Sequence, residues 1–150
     1  MTIKTTDFDA DFTPADRESI SLLPTELLAN PSSNQYHSNT LSFFKYAGDE
    51  LKLSYLTTPE ILLEQRSGEW FAPAMLLTAQ FAANYPLTVS IFCNVLSSYI
   101  YDTFKGRAKP QVRLTVICER KVKSSYVQIE YSGDVEGLPA VQAVISNALQ

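Results

Sequence analysis

Four acidic residues near the N-terminus have the spacing of a calcium-binding loop: Asp7, Asp9, Asp11 and Glu18. In such a loop, alternating carboxylates and a distal glutamate wrap the ion, and the sixth position is a glycine that makes a sharp turn. This chain has Phe12 at that position, which breaks the geometry. We therefore predict no metal ion and no cofactor, and we interpret residues 1–19 as a loosely held acidic N-terminal arm.

The side chains that could carry out nucleophilic chemistry are few. Cys93 and Cys118 are the only cysteines, His37 is the only histidine, and a histidine can activate a thiol by accepting its proton. His37 lies in a Ser- and Asn-rich stretch, however, and the sequence has no CxxC spacing, nucleophile elbow or glycine-rich phosphate loop. With no secretory signal, the pattern predicts reduced core thiols in a cytoplasmic, non-enzymatic protein. A small enzyme with an unrecognised site is the second alternative function.

Basic residues are concentrated in residues 105–123, which hold seven of the 12 Lys and Arg residues and a single acid, Glu119. Such a cluster could hold phosphates, although no known nucleic-acid-binding signature accompanies it and the net charge of the chain is −4. The candidate polyanion site consists of four residues on a predicted hairpin: Arg113, Arg120, Lys121 and Lys123. Nucleic-acid binding is the first alternative function. The other interpretation is a solvated turn whose lysines protect a sheet edge from aggregation.

Residues 70–101 contain no charged side chain. Pro73 and Pro86 divide the stretch, so neither part offers the roughly 18 uninterrupted apolar residues of a bilayer crossing, and we predict no membrane span. The second part is typical of a helix with an apolar stripe that includes Ile91, Phe92 and Val95. Its other side is polar but uncharged: Ser90, Asn94, Ser97, Ser98 and Tyr101. A solvent-facing helix usually carries Lys or Glu there, so we expect this protein's own sheet or a second protein to cover it.

The length of 150 residues and the 45% hydrophobic content predict one domain with a real core. Two β-hairpins are predicted, at about 40–56 around Gly48-Asp49 and at about 112–131. Four helices are predicted, with the approximate bounds 59–67, 70–84, 87–104 and 138–149. The expected fold is therefore α+β, with a mainly antiparallel sheet covered by helices.

Two segments resemble parts of small uncharacterised bacterial proteins: PLTVSIFCNVLSSYIYDTFKG (86–106) and VQIEYSGDVEGLPAVQAVISNAL (127–149). In those proteins, a helix that ends in a Ser-Tyr-Ile-Tyr-Asp-like sequence precedes a hairpin and a helix linked by Gly-Asp. They are often encoded in multi-gene clusters, including antiviral defence clusters, so the resemblance implies a bacterial component that acts with partners. It implies no catalytic residue. Together with the uncharged helix, it favours a protein–protein interaction module, an accessory subunit or adaptor that binds a protein partner or itself.

Overall fold

Nine β-strands and four α-helices lie in the part of the chain that the computed structural model describes, which is residues 2–8, 18–25, 33–48, 50–63, 70–71, 74–103, 111–120 and 125–149. The strands are β1 (Thr2–Phe8), β2 (Ile20–Leu22), β3 (Gln35–His37), β4 (Leu53–Tyr55), β5 (Ile61–Leu63), β6 (Trp70–Phe71), β7 (Ala74–Leu77), β8 (Gln111–Glu119) and β9 (Tyr126–Asp134). The helices are α1 (Ser38–Ala47), α2 (Ala79–Asn84), α3 (Thr88–Thr103) and α4 (Leu138–Ala148). The predicted α+β class is confirmed.

Seven of the described strands form one sheet. Six of them follow the order β1-β9-β8-β7-β2-β4, and β6 pairs with the start of β8, on the same edge of β8 that β7 occupies further along. β8 and β9 are an antiparallel hairpin that pairs from Gln111–Asp134 to Glu119–Tyr126, which confirms the hairpin predicted at 112–131. β7 runs parallel to β8, and β4 runs parallel to β2. The sheet is therefore mixed, because residues far apart in the chain contribute neighbouring parallel strands. β3 and β5 form a second, two-stranded parallel sheet.

Alternation along β8 and β9 places the core on the side of the sheet that carries the helices. Successive side chains of a strand point to opposite faces, and the inward positions here are apolar and buried. They are Val112, Leu114, Val116, Cys118, Val127, Ile129 and Tyr131. Phe43 of α1 meets Phe92 and Tyr99 of α3 edge-on, with ring centroids 6.4 and 5.5 Å apart. The opposite face holds a smaller cluster formed by Phe8, Leu23, Leu76 and Ile117.

The hairpin predicted at 40–56 is wrong, because residues 38–47 form α1 and β4 pairs with β2 instead. The aromatic run predicts a strand, yet its buried residues, Thr40, Phe43 and Ala47, recur at helical spacing. Gly48 does adopt the positive φ that the turn prediction required, at 53°. It ends a helix rather than joining two strands, and its N–H donates to the Phe44 carbonyl oxygen at 3.4 Å.

The helices predicted at 59–67 and 70–84 are also wrong over most of their described residues. Residues 61–63 are β5, residues 70–71 and 74–77 are β6 and β7, and only Ala79–Asn84 is helical. Met75, Leu76 and Leu77 are all buried, because β7 lies between the main core and the cluster on the opposite face. A strand covered on both faces is a continuous apolar run without alternation, and periodicity cannot distinguish it from a buried helix.

The prediction of a loosely held N-terminal arm is wrong for residues 2–8, which form β1. β1 pairs antiparallel with β9 along its whole length, from Thr2–Ser132 to Phe8–Tyr126. Backbone hydrogen bonds to a distant strand hold it, and the acidic composition gives no sign of them. Residues 9–17 of the predicted arm lie outside the described residues.

Candidate interface on the helical face

α3 begins at Thr88, shortly after Pro86, and lies against the sheet. The helix predicted at 87–104 is thus confirmed. One side of it is buried in the main core, and its members recur every three or four residues: Val89, Phe92, Cys93, Leu96, Tyr99 and Ile100. The helix contacts both α1 and α4. Its orientation is fixed by this packing, which in turn determines which residues face away from the sheet.

A line of uncharged residues runs along the exposed side of α3 and includes Leu87, which immediately precedes the helix; we call it the α3 stripe: Leu87, Ile91, Asn94, Ser98 and Tyr101. The spacing of four, three, four and three residues places them one above another on a helix. Leu87, Ile91 and Tyr101 expose 70, 38 and 56% of their surface. Three apolar or aromatic side chains thus stand in solvent on the same line.

The structure places three of the five predicted interface residues on this stripe, namely Asn94, Ser98 and Tyr101, all exposed. Ser90 and Ser97 are half-buried, and the Ser97 hydroxyl donates to the Cys93 carbonyl oxygen at 2.9 Å. Sequence reasoning missed Leu87 and assigned Ile91 to the core. The four-three spacing that continues from Leu87 through Ile91 to Asn94 is the signal that could have found them.

The surface beside the stripe is uncharged as well. α4 buries Leu138, Val141 and Ile145 and exposes small or polar residues: Pro139, Ala140, Ala143, Ser146 and Asn147. An apolar groove of about 480 Å³ joins α2, the start of α3 and the end of α4, between Ala83, Pro86, Val89, Ser146 and Leu149. The α3 stripe and the exposed side of α4, connected by this groove, constitute what we call the helical face.

A second groove of about 350 Å³ lies on the other side of Pro86 and reaches the end of the α3 stripe. Phe81, Tyr85, Leu87 and Ile91 line it, with Glu50 and Lys52 also in its wall. The Lys52 ammonium donates to the Tyr85 hydroxyl at 2.6 Å. The groove is therefore mainly apolar, and Glu50 and Lys52 in its wall could hydrogen-bond to the polar end of an inserted side chain.

The far end of the α3 stripe adjoins a charged residue, Asp102. Tyr46 of α1 donates its hydroxyl to Asp102 Oδ2 at 2.7 Å, and this hydrogen bond raises the pKa of Tyr46. The Tyr46 ring also packs edge-on against Tyr99, with centroids 5.3 Å apart. The Asp102 carboxylate, next to the α3 stripe, is thus hydrogen-bonded to Tyr46 of α1.

The candidate polyanion residues do not converge in the described structure. Arg113 lies near the start of β8 and is exposed on the sheet face away from the helices, in a groove of about 320 Å³ that also contains Lys4 and Glu130. Arg120 follows the other end of β8 and forms an ion pair with Asp7 at 3.2 Å. Seven residues of extended strand separate the two arginines by roughly 24 Å. Lys121 and Lys123 lie outside the described residues.

The candidate nucleophile has the wrong environment for that chemistry. Burial raises the pKa of Cys93, and likewise that of Cys118, to about 12. Such thiols stay neutral at pH 7, whereas the thiolate is the reactive form. His37 ends β3 and immediately precedes α1, and burial lowers its pKa. The geometry therefore gives no support to a thiolate-based reaction at Cys93.

In the described part of the chain, no cluster of three or more His, Cys, Asp or Glu side chains could hold a metal ion. Of the acids with calcium-loop spacing, Asp7 pairs with Arg120, and Glu18 accepts a hydrogen bond from the Gln80 amide at 2.9 Å. Asp9 and Asp11 lie outside the described residues. None of the described helices combines the length and apolarity needed to cross a membrane.

Comparisons of the chain with protein-family models, with curated proteins and with solved structures find no match. The resemblance to small bacterial proteins therefore stays a prediction.

Proposed function

We propose that the protein acts by binding another protein through the helical face, as an accessory subunit or adaptor. The observation that carries this proposal is the α3 stripe, where Leu87 is 70% exposed in a line of five residues without a charge. Exposed apolar side chains aligned in this way are costly in water and are typical of interaction sites. Uncharged polar neighbours such as Asn94 and Ser98 lose less hydration free energy on burial than Lys or Glu would.

The size of the helical face also supports a protein partner. A helix of 16 residues such as α3 is about 24 Å long, and neighbouring helices lie 8–10 Å apart. With α4 of 11 residues and α2 of 6, the three helices present roughly 450 Å² in projection, which fits a small interface, below the ~800 Å² that each partner contributes to one of standard size. The core of such interfaces is depleted in charged residues, as the helical face is.

The test is a pair of matched serine variants on two helices. Ser98→Arg introduces a long cation into the α3 stripe, whereas Ser42→Arg makes the same change at an exposed position of α1 outside it. We expect both variants to fold, because both serines are exposed. Tagged wild type and Ser42→Arg should retain the same associated protein, and Ser98→Arg should lose it because the arginine must be desolvated at the contact.

Circular dichroism checks the fold of each variant, and quantitative co-purification from the native host measures association. A folded Ser98→Arg that associates as the wild type does would contradict the proposal. Loss of association by Ser42→Arg as well would place the contact elsewhere.

A further inference from the structure

We draw no further inference here: the strongest candidate, the mainly apolar groove of about 350 Å³ beside Pro86 at the start of α3, has one anion and one cation in its wall, Glu50 and Lys52, and nothing in the structure shows what occupies it.

Discussion

The hydroxyl of the buried Tyr36 forms hydrogen bonds that connect separate parts of the fold. It donates to the Thr57 carbonyl oxygen at 2.9 Å and accepts from the Thr57 N–H at 3.0 Å, and it lies 3.4 Å from the Leu22 carbonyl oxygen. One side chain of β3 is thereby tied to β2 and to the segment after β4.

Tyr36→Phe should therefore lower the free energy of unfolding by about 1–3 kcal/mol, because the backbone groups of Thr57 lose their partner at a partly buried contact. Urea denaturation followed by circular dichroism measures the change. Tyr46→Phe is the control, because it removes a hydroxyl at the surface and should change the free energy of unfolding by less than about 1 kcal/mol. Equal effects of the two variants would show that burial of the Tyr36 hydroxyl is unimportant.

The buried thiols predict a loss of stability at alkaline pH. Burial raises the pKa of Cys93 and Cys118 to about 12, whereas the unfolded chain releases these protons near the ordinary value of 9.0. The stabilisation from the neutral thiols is fully present below pH 9 and is lost as the pH rises to about 12. The free energy of unfolding should fall by up to about 1.4 kcal/mol per pH unit for each thiol in that window.

Cys93→Ala isolates this effect, because alanine does not ionise. Urea titrations between pH 8 and pH 11 should show a shallower fall for the variant than for the wild type. The same burial should protect both thiols from iodoacetamide at pH 8 in the native state, and fast alkylation of the folded protein would contradict the assignment.

At the scale of the element, α3 separates the core side from the interface side at two adjacent residues. Val95 is buried against the sheet, and Asn94 is exposed on the α3 stripe. Val95→Asp should unfold the protein, because an unpaired buried carboxylate costs several kcal/mol, comparable with the whole stability of a domain.

Asn94→Asp introduces the same aspartate side chain at the preceding residue. Because Asn94 is exposed, this variant should keep the helical circular dichroism spectrum of the wild type. A folded Val95→Asp, or an unfolded Asn94→Asp, would mean that α3 turns a different side toward the sheet. Both outcomes are visible in a single pair of spectra.

Elements with a complete local pattern were predictable from the sequence, and elements defined by distant partners were not. α3 and α4 have amphipathic spacing within their own residues, and β8 and β9 alternate within theirs. Met75–Leu77 has no period because both of its faces are covered, and β4 pairs in parallel with a strand more than thirty positions earlier, at Ile20–Leu22.

The candidate interface was predictable in its polar half. The absence of charge singled out Asn94, Ser98 and Tyr101, since a solvated helix normally carries Lys or Glu at such positions. Leu87 and Ile91 could not be separated from core residues on the same helix until the position of the sheet was known. The sequence predicts Arg113 and Arg120 as parts of one cluster because they are close in the chain, whereas an extended strand holds them at its opposite ends.

For the whole molecule, the helical face and the opposite face of the sheet differ in charge. The helical face is uncharged over the α3 stripe and the described part of α4, whereas the opposite face carries Lys4, Arg113 and Glu130 around its groove. A protein bound at the helical face would leave the opposite face of the sheet in water. Such a complex would bury uncharged surface and keep the charged surface hydrated, the arrangement with the lower desolvation cost.

The pairing of β1 with β9 has a consequence for protein synthesis. Asp7 and Arg120, which form an ion pair across this edge of the sheet, are 113 positions apart in the chain. A ribosome adding about 5–20 residues per second needs roughly 6–23 s to synthesise the chain between them. The segment that becomes β1 therefore leaves the ribosome long before β9 exists. Until then this nascent segment cannot pair with β9. The polar residues at positions 4–7, among them Lys4 and Asp7, separate its two apolar residues, Ile3 and Phe8, and limit its association with other chains.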